Sequence, residues 1–254
     1  MKKAIAIIAV MVVIFMGFKC FLDYFFKDKE TGKYTDLKGI LPQGFTYTAH
    51  TGCCGTQANS IASIEKGVSC GANIVEFDLK FTKSGEPVLC HDAIKGNEVT
   101  VDEAFAKISE YDGIYVNVDR KTSDALHKIP ELAKKHGISD RIFFTGVEEE
   151  AVEAVKKACP GVDYYLNMEV KKPSKHTDEY LLSLVEKVKE CGAVGINFNK
   201  KSASKKLVDT FHENGLLVSI FTVDKKAEMY KILLFAPDNI TTRNPDLLGE
   251  ILKD

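Results

Sequence analysis

Beyond residue 44 the chain alternates short apolar, β-branched runs with stretches of helical periodicity, and that alternation constrains its fold more than any other feature. The runs span 45–49, 74–81, 114–118, 141–145, 164–167, 194–198, 216–223 and 239–242. Helical patterns fill 60–69, 124–136, 148–159, 178–191, 202–214 and 225–234, several of them closed by Gly or Pro. Strands that alternate with helices become parallel neighbours through helical crossovers. The pattern therefore predicts an α/β protein, a (β/α)8 TIM barrel over residues 45–254, with a doubly wound open sheet as the alternative. A chain of 254 residues, 45% of them apolar, suits one such barrel of about 250 residues. Its formal net charge of -2 supplies no field to gather a polyanion, so no nucleic-acid partner is expected.

The first residues do not belong to that pattern. Lys2 and Lys3 precede an uncharged apolar run over 4–18, and only Lys19 interrupts its continuation through 20–22. The segment 1–22 is predicted to be a hydrophobic helix that anchors the chain in the cell membrane as a single pass, with the barrel outside the cytoplasm. A cleaved signal with a secreted barrel is the competing reading, although no small-x-small cleavage site follows. Residues 23–44, charged and rich in turn formers, read as a linker. Cysteine usage assigns no framework. The seven cysteines include the adjacent Cys53 and Cys54 but no CxxC spacing, so most are expected to be small buried side chains, and a disulfide stays open.

One strand breaks the alternation. In VEFDLKFTKSGEPVLCHD, residues 75–92, too few residues separate two apolar runs for a parallel crossover, so the second must fold back as a hairpin inserted after the second strand. With Ser84 and Gly85 as a two-residue turn, Asp78 faces His91, and Glu76 shares the side of Asp78. Burying two carboxylates together is costly unless a cation neutralises them, and hard divalent ions such as Ca2+ or Mg2+ are the natural partners. The following strand, YVNVDRKT, puts Asn117, Asp119 and Lys121 on one face. Barrel sites gather at the carboxyl ends of strands, where His50, Glu76, Asp78, His91 and Asp119 are expected to converge. Glu169, Lys171, Asn197 and Asn199 end later strands and are candidates for the mouth. His127, His136, His176 and His212 read as surface histidines.

These residues resemble the glycerophosphodiester phosphodiesterase family. The likeness is densest in AHTG at 49–52 and in NSIASIEKGVSCGANIVEFDLKFTKSGEPVLCHD at 59–92. It extends through NVDRK, FTVD and TTRNPDLL, covering about residues 45–252. The resemblance implies hydrolysis of a small-molecule or lipid-derived phosphodiester to glycerol 3-phosphate and an alcohol. It also implies His50 and His91 as an acid and base pair, Glu76, Asp78 and Asp119 as ligands of a divalent metal, and Lys121 facing the phosphate. Thr51 stands where the family has an arginine and Ala58 where it has a glutamate, with Asn59 kept. Arg243 replaces an expected aspartate and restores positive charge near the mouth. A lysophospholipid or glycerophosphate-polymer phospholipase is a related reading. A barrel that binds a phosphate ligand without turnover is the rival from another class.

Overall fold

Nine strands are present among the described residues, which are Leu37 and 39–253: β1 (Thr46–Ala49), β2 (Ile74–Phe81), β3 (Pro87–Leu89), β4 (Tyr115–Arg120), β5 (Ile142–Val147), β6 (Tyr164–Asn167), β7 (Gly195–Asn199), β8 (Leu217–Phe221) and β9 (Asn239–Thr242). In this computed structural model all but β3 run parallel, and β1 pairs with both β2 and β9, which closes the ring. The expected (β/α)8 barrel is therefore the fold, and the open sheet is excluded. Helices α1 (Ile61–Ser69), α2 (Val101–Ser109), α3 (Lys128–Lys135), α4 (Val152–Ala158), α5 (Asp178–Cys191), α6 (Lys205–Glu213), α7 (Lys226–Leu233) and α8 (Pro245–Ile251) carry the chain between and after the strands. Their starts are fixed locally: Ser60, Thr177 and Ser204 each accept a backbone N–H of the first turn, and Thr100 with Glu103 forms a reciprocal capping box.

The apolar core lies between strands and helices. Outward residues Phe77, Leu79, Val118, Phe144, Ile196, Phe198 and Ile220 are fully buried against helix residues such as Phe105 and Phe211. Inward positions, two residues apart along each strand, are largely polar instead. Thr48, Asn117, Thr145, Asn197, Ser219 and Asn239 are buried, and Asn239 accepts from Thr48 at 3.0 Å and donates to Ser219 at 3.1 Å. A polar interior is tolerated because these groups bond one another across neighbouring strands.

The hairpin folds back as expected, but its register is one residue off. Leu79 pairs with Leu89 and Phe81 with Pro87, and the Cys90 N–H donates to the Asp78 carbonyl oxygen at 2.8 Å, so Asp78 faces Cys90 and not His91. The turn has three residues: the Gly85 N–H closes on the Thr82 carbonyl at 2.8 Å, and Gly85 takes the left-handed φ of 76° that completes such loops.

Among the described residues no helix is long and apolar enough to cross a membrane. The expected anchor at 1–22 and most of the linker at 23–44 lie outside them, while residues from Ile40 to Lys253 belong to one compact unit.

Candidate active site

Strand register builds the site. Glu76 lies beside Asn117, Asp78 beside Asp119, and Asp119 beside Thr145. Carboxylate oxygens of Glu76, Asp78 and Asp119 thus come within 4.8 Å of one another, two of the three residues being buried. Lys121 donates to Asp78 at 3.0 Å and to Asp119 at 2.5 Å. Burial pulls its ammonium down, but Asp119 and Asp78 hold it above the ordinary lysine range. Three carboxylates against one ammonium leave two negative charges. The imbalance falls on Glu76: burial first, then the charges of Asp78 and Asp119, push its carboxyl well above the usual range, although it accepts the Thr51 N–H at 2.7 Å. A hard divalent cation fits this donor set in charge and in chemistry.

His50 follows β1 and is about one-quarter exposed at its side chain. Its Nδ1 lies 2.8 Å from the Thr51 carbonyl oxygen, which can only accept, so Nδ1 carries the proton and Nε2 is left as the basic atom. Burial lowers the imidazole's pKa against that bond, and the Arg243 charge lowers it further. His50, Glu76, Asn117, Asp119, Thr145, Asn167, Asn197, Phe221 and Thr241 enclose a cavity of about 50 Å³. A larger vestibule of about 500 Å³ shares Asn167, Asn197 and Phe221 with it and adds Glu148, Glu149, Glu150, Glu169 and Lys187.

The remaining expected residues are placed as follows. Asn59 brackets Asp78, donating from Nδ2 to Oδ2 at 2.8 Å and accepting the Asp78 N–H at 2.9 Å. Thr51 is buried, and its hydroxyl accepts the Asn59 N–H at 2.5 Å, so the loop is tied to Asn59 without the family's arginine. Glu169 and Asn197 line the vestibule. Asn199 instead caps its own turn, accepting the Lys201 N–H at 3.0 Å. Lys171 lies 4.4 Å over the Tyr180 ring and Arg243 pairs with Asp224 at 3.0 Å, so neither lines either cavity. His91 sits on the loop after β3, exposed, its Nδ1 2.8 Å from Asp92 Oδ1, and that bond holds the Asp92 carboxyl below the usual range. The register shift separates it from Asp78. His176 is not on the surface. It is buried, bridging Ser204 Oγ at 2.7 Å and the Lys171 carbonyl at 2.8 Å.

Two residues that the sequence reading did not single out complete the rim. Thr145 donates within reach of Asn117 at 2.8 Å and of Asp119 at 3.2 Å, and Asn167 accepts from the Gly146 N–H at 3.0 Å and from Asn197 at 3.1 Å. Each ends an apolar run with a polar side chain, which was the available signal.

A closed parallel barrel with an acid trio and a histidine on its carboxyl rim is the frame of a (β/α)8-barrel phosphoric diester hydrolase. Within that class the chain belongs to the glycerophosphoryl diester phosphodiesterase family, whose model matches residues 50–112 and 93–247. It is 24% identical over 227 residues to a glycerophosphodiester phosphodiesterase of Caldanaerobacter subterraneus, covering 77% of this chain and 92% of that one. It is 22% identical over 264 residues to a glycerophosphodiester phosphodiesterase of Bacillus subtilis, covering 84% and 88%. Among solved structures, an Oleispira antarctica phosphodiesterase in complex with its product sn-glycerol-3-phosphate superposes with a TM-score of 0.70 at 18% identity, covering 86% of this chain and 99% of that one.

Proposed function

We propose that this protein hydrolyses glycerophosphodiesters to glycerol 3-phosphate and an alcohol, with a divalent ion, Ca2+ or Mg2+, held by Glu76, Asp78 and Asp119. The observation that carries the reading is the meeting of His50 with Glu76 and Asp119 around one small cavity at the carboxyl end of the barrel, with Asp78 clustered beside those two acids. When bound, the ion offsets negative charge on the phosphodiester. His50, neutral and basic at Nε2, takes the proton of the attacking hydroxyl, whether water or a glycerol hydroxyl. Asp92 accepts from Nδ1 of His91, so His91 acts as the acid only as the imidazolium, returning the proton on Nε2 to the leaving alkoxide. Lys121 holds Asp78 and Asp119 together, and its charge extends toward the phosphate. Thr51 and Asn59 fix the acids, and Arg243 adds positive charge at the mouth without direct contact.

Four glutamates against one lysine, Lys187, which pairs with Glu149, leave the vestibule net negative and favour an alcohol that carries positive charge over a neutral head group or a polyanionic glycerophosphate polymer. In an assay of the full chain with divalent ion, glycerol 3-phosphate release from glycerophosphocholine should exceed that from glycerophosphoglycerol. Chelator should abolish it, and His50→Ala should lower kcat/KM by roughly 10²–10⁴-fold. Phosphate-ligand binding without turnover under either metal would instead make the barrel a binding module. The segment 1–22 is proposed to tether the barrel to the membrane. The mass of the mature chain tests this, because loss of about twenty residues would mean a cleaved signal.

A further inference from the structure

Cys54 and Cys70 differ from the other described cysteines. Cys53, Cys90, Cys159 and Cys191 are buried, and Cys53 and Cys159 each direct the thiol to a carbonyl oxygen. Cys54 and Cys70 are only half-buried, and their sulfurs lie 3.6 Å apart. A disulfide needs about 2.05 Å, so the sulfurs must close by roughly 1.5 Å. Neither residue is locked inside a regular element. Cys54 has a left-handed φ of 51° in the turn after β1, and Cys70 is the residue that ends α1.

We infer that Cys54 and Cys70 are the site of a disulfide that clasps the loop bearing His50 and Thr51 to the end of α1. The loop is already tied to this helix by the Gly52 N–H, which donates to Ser63 Oγ at 2.8 Å, so the bond covalently reinforces an existing attachment. The oxidant is a low-molecular-weight disulfide. One cysteine thiolate attacks it, its S–S bond breaks, and one small thiol leaves. The second cysteine thiolate then displaces the other small thiol. The two protons of the cysteines pass to the two departing thiolates, and the two electrons lost by the cysteines reduce the reagent to two thiols. Burial, with the neighbouring Cys70 thiol, pushes Cys54 up to about 12, so attack by the Cys54 thiolate is slow near neutral pH and accelerates as pH rises.

Peptide mapping of the full chain tests this directly. The protein is equilibrated at pH 8 with an oxidising glutathione mixture, quenched in acid, alkylated and digested. The expected product is one reducible cross-linked peptide pair containing residues 54 and 70, retained in Cys53→Ser. Closing this short loop should raise Tm by roughly 5–10 °C over the reduced protein, and Cys54→Ser should remove that rise. Recovery of both cysteines alkylated, or as separate glutathione adducts, overturns the inference. So does a cross-link from Cys53 to Cys70.

Discussion

Gly146 occupies the tightest point of the acid cluster. Its φ is 66°, and a β-carbon there would stand 2.3 Å from the Arg120 carbonyl oxygen and 2.5 Å from Asp119 Oδ1. Backbone cannot yield as a flexible side chain does, so any larger residue must displace the rim of β4 and Asp119 with it. Gly146→Ala is expected to destabilise the fold by about 1–3 kcal/mol. It should also lower divalent-dependent activity at a temperature where the variant is still folded. Thermal denaturation paired with a metal titration measures both, and full activity with an unchanged metal requirement would mean that Asp119 holds no ion. Asn59 shows how residue identity was legible where size was not. Its amide offers the donor and the acceptor that Asp78 needs, and the left-handed φ of 55° that brings it there is one that asparagine tolerates. His176 was illegible because a histidine amid polar residues reads as exposed until the chain folds Ser204 over it.

At the scale of elements, the eight parallel strands follow the predicted runs to within about two residues, and α5 has the predicted bounds. Both signals are periodic, and periodicity survives single-residue uncertainty. Pairing across a turn does not, because one extra loop residue moves every partner. Thus spacing along β2 put Glu76 and Asp78 on one face, and the strand ends bring Asp119 beside them. The pairing of Asp78 with His91 failed because it depended on whether the turn used two residues or three. Thr145 and Asn167 were missed for a related reason: each matters through a neighbouring strand, and lateral register is not written in one strand's sequence. The hairpin also supplies the test of His91. Exposed and bonded to Asp92, it contributes little to packing, so His91→Ala should leave stability within about 0.5 kcal/mol of the parent. If it protonates the leaving alkoxide, the variant should lose kcat severely on a choline diester but much less on a nitrophenyl diester, whose leaving group needs no proton. Equal losses on the two substrates would remove His91 from the acid role.

The whole molecule responds to the charge the barrel holds at its mouth. The described barrel keeps Glu76 at 4% exposure beside two further carboxylates with one lysine among them. Its carboxyl is therefore raised in the folded state above its value in the unfolded chain. Between those two values the folded protein binds more protons than the unfolded one. The Glu76 contribution to stability is thus complete at and below the ordinary glutamate range and is lost as pH rises toward the raised value, by up to about 1.4 kcal/mol for each pH unit in that window. Metal-free protein should accordingly show a declining component of stability from about pH 5 upward. Glu76→Gln, which keeps the shape without the charge, should flatten it. A divalent ion at one hundred times its Kd should restore about 2.7 kcal/mol at neutral pH, where the carboxylate is most costly. Denaturant melts of both proteins in chelator, with the ion added back, measure all three effects. The difference between parent and variant isolates Glu76 from the histidine–aspartate pairs at His136 and His212. A parent and a variant with the same pH slope, or a parent indifferent to divalent ions, would show that the mouth balances its acids without a cation.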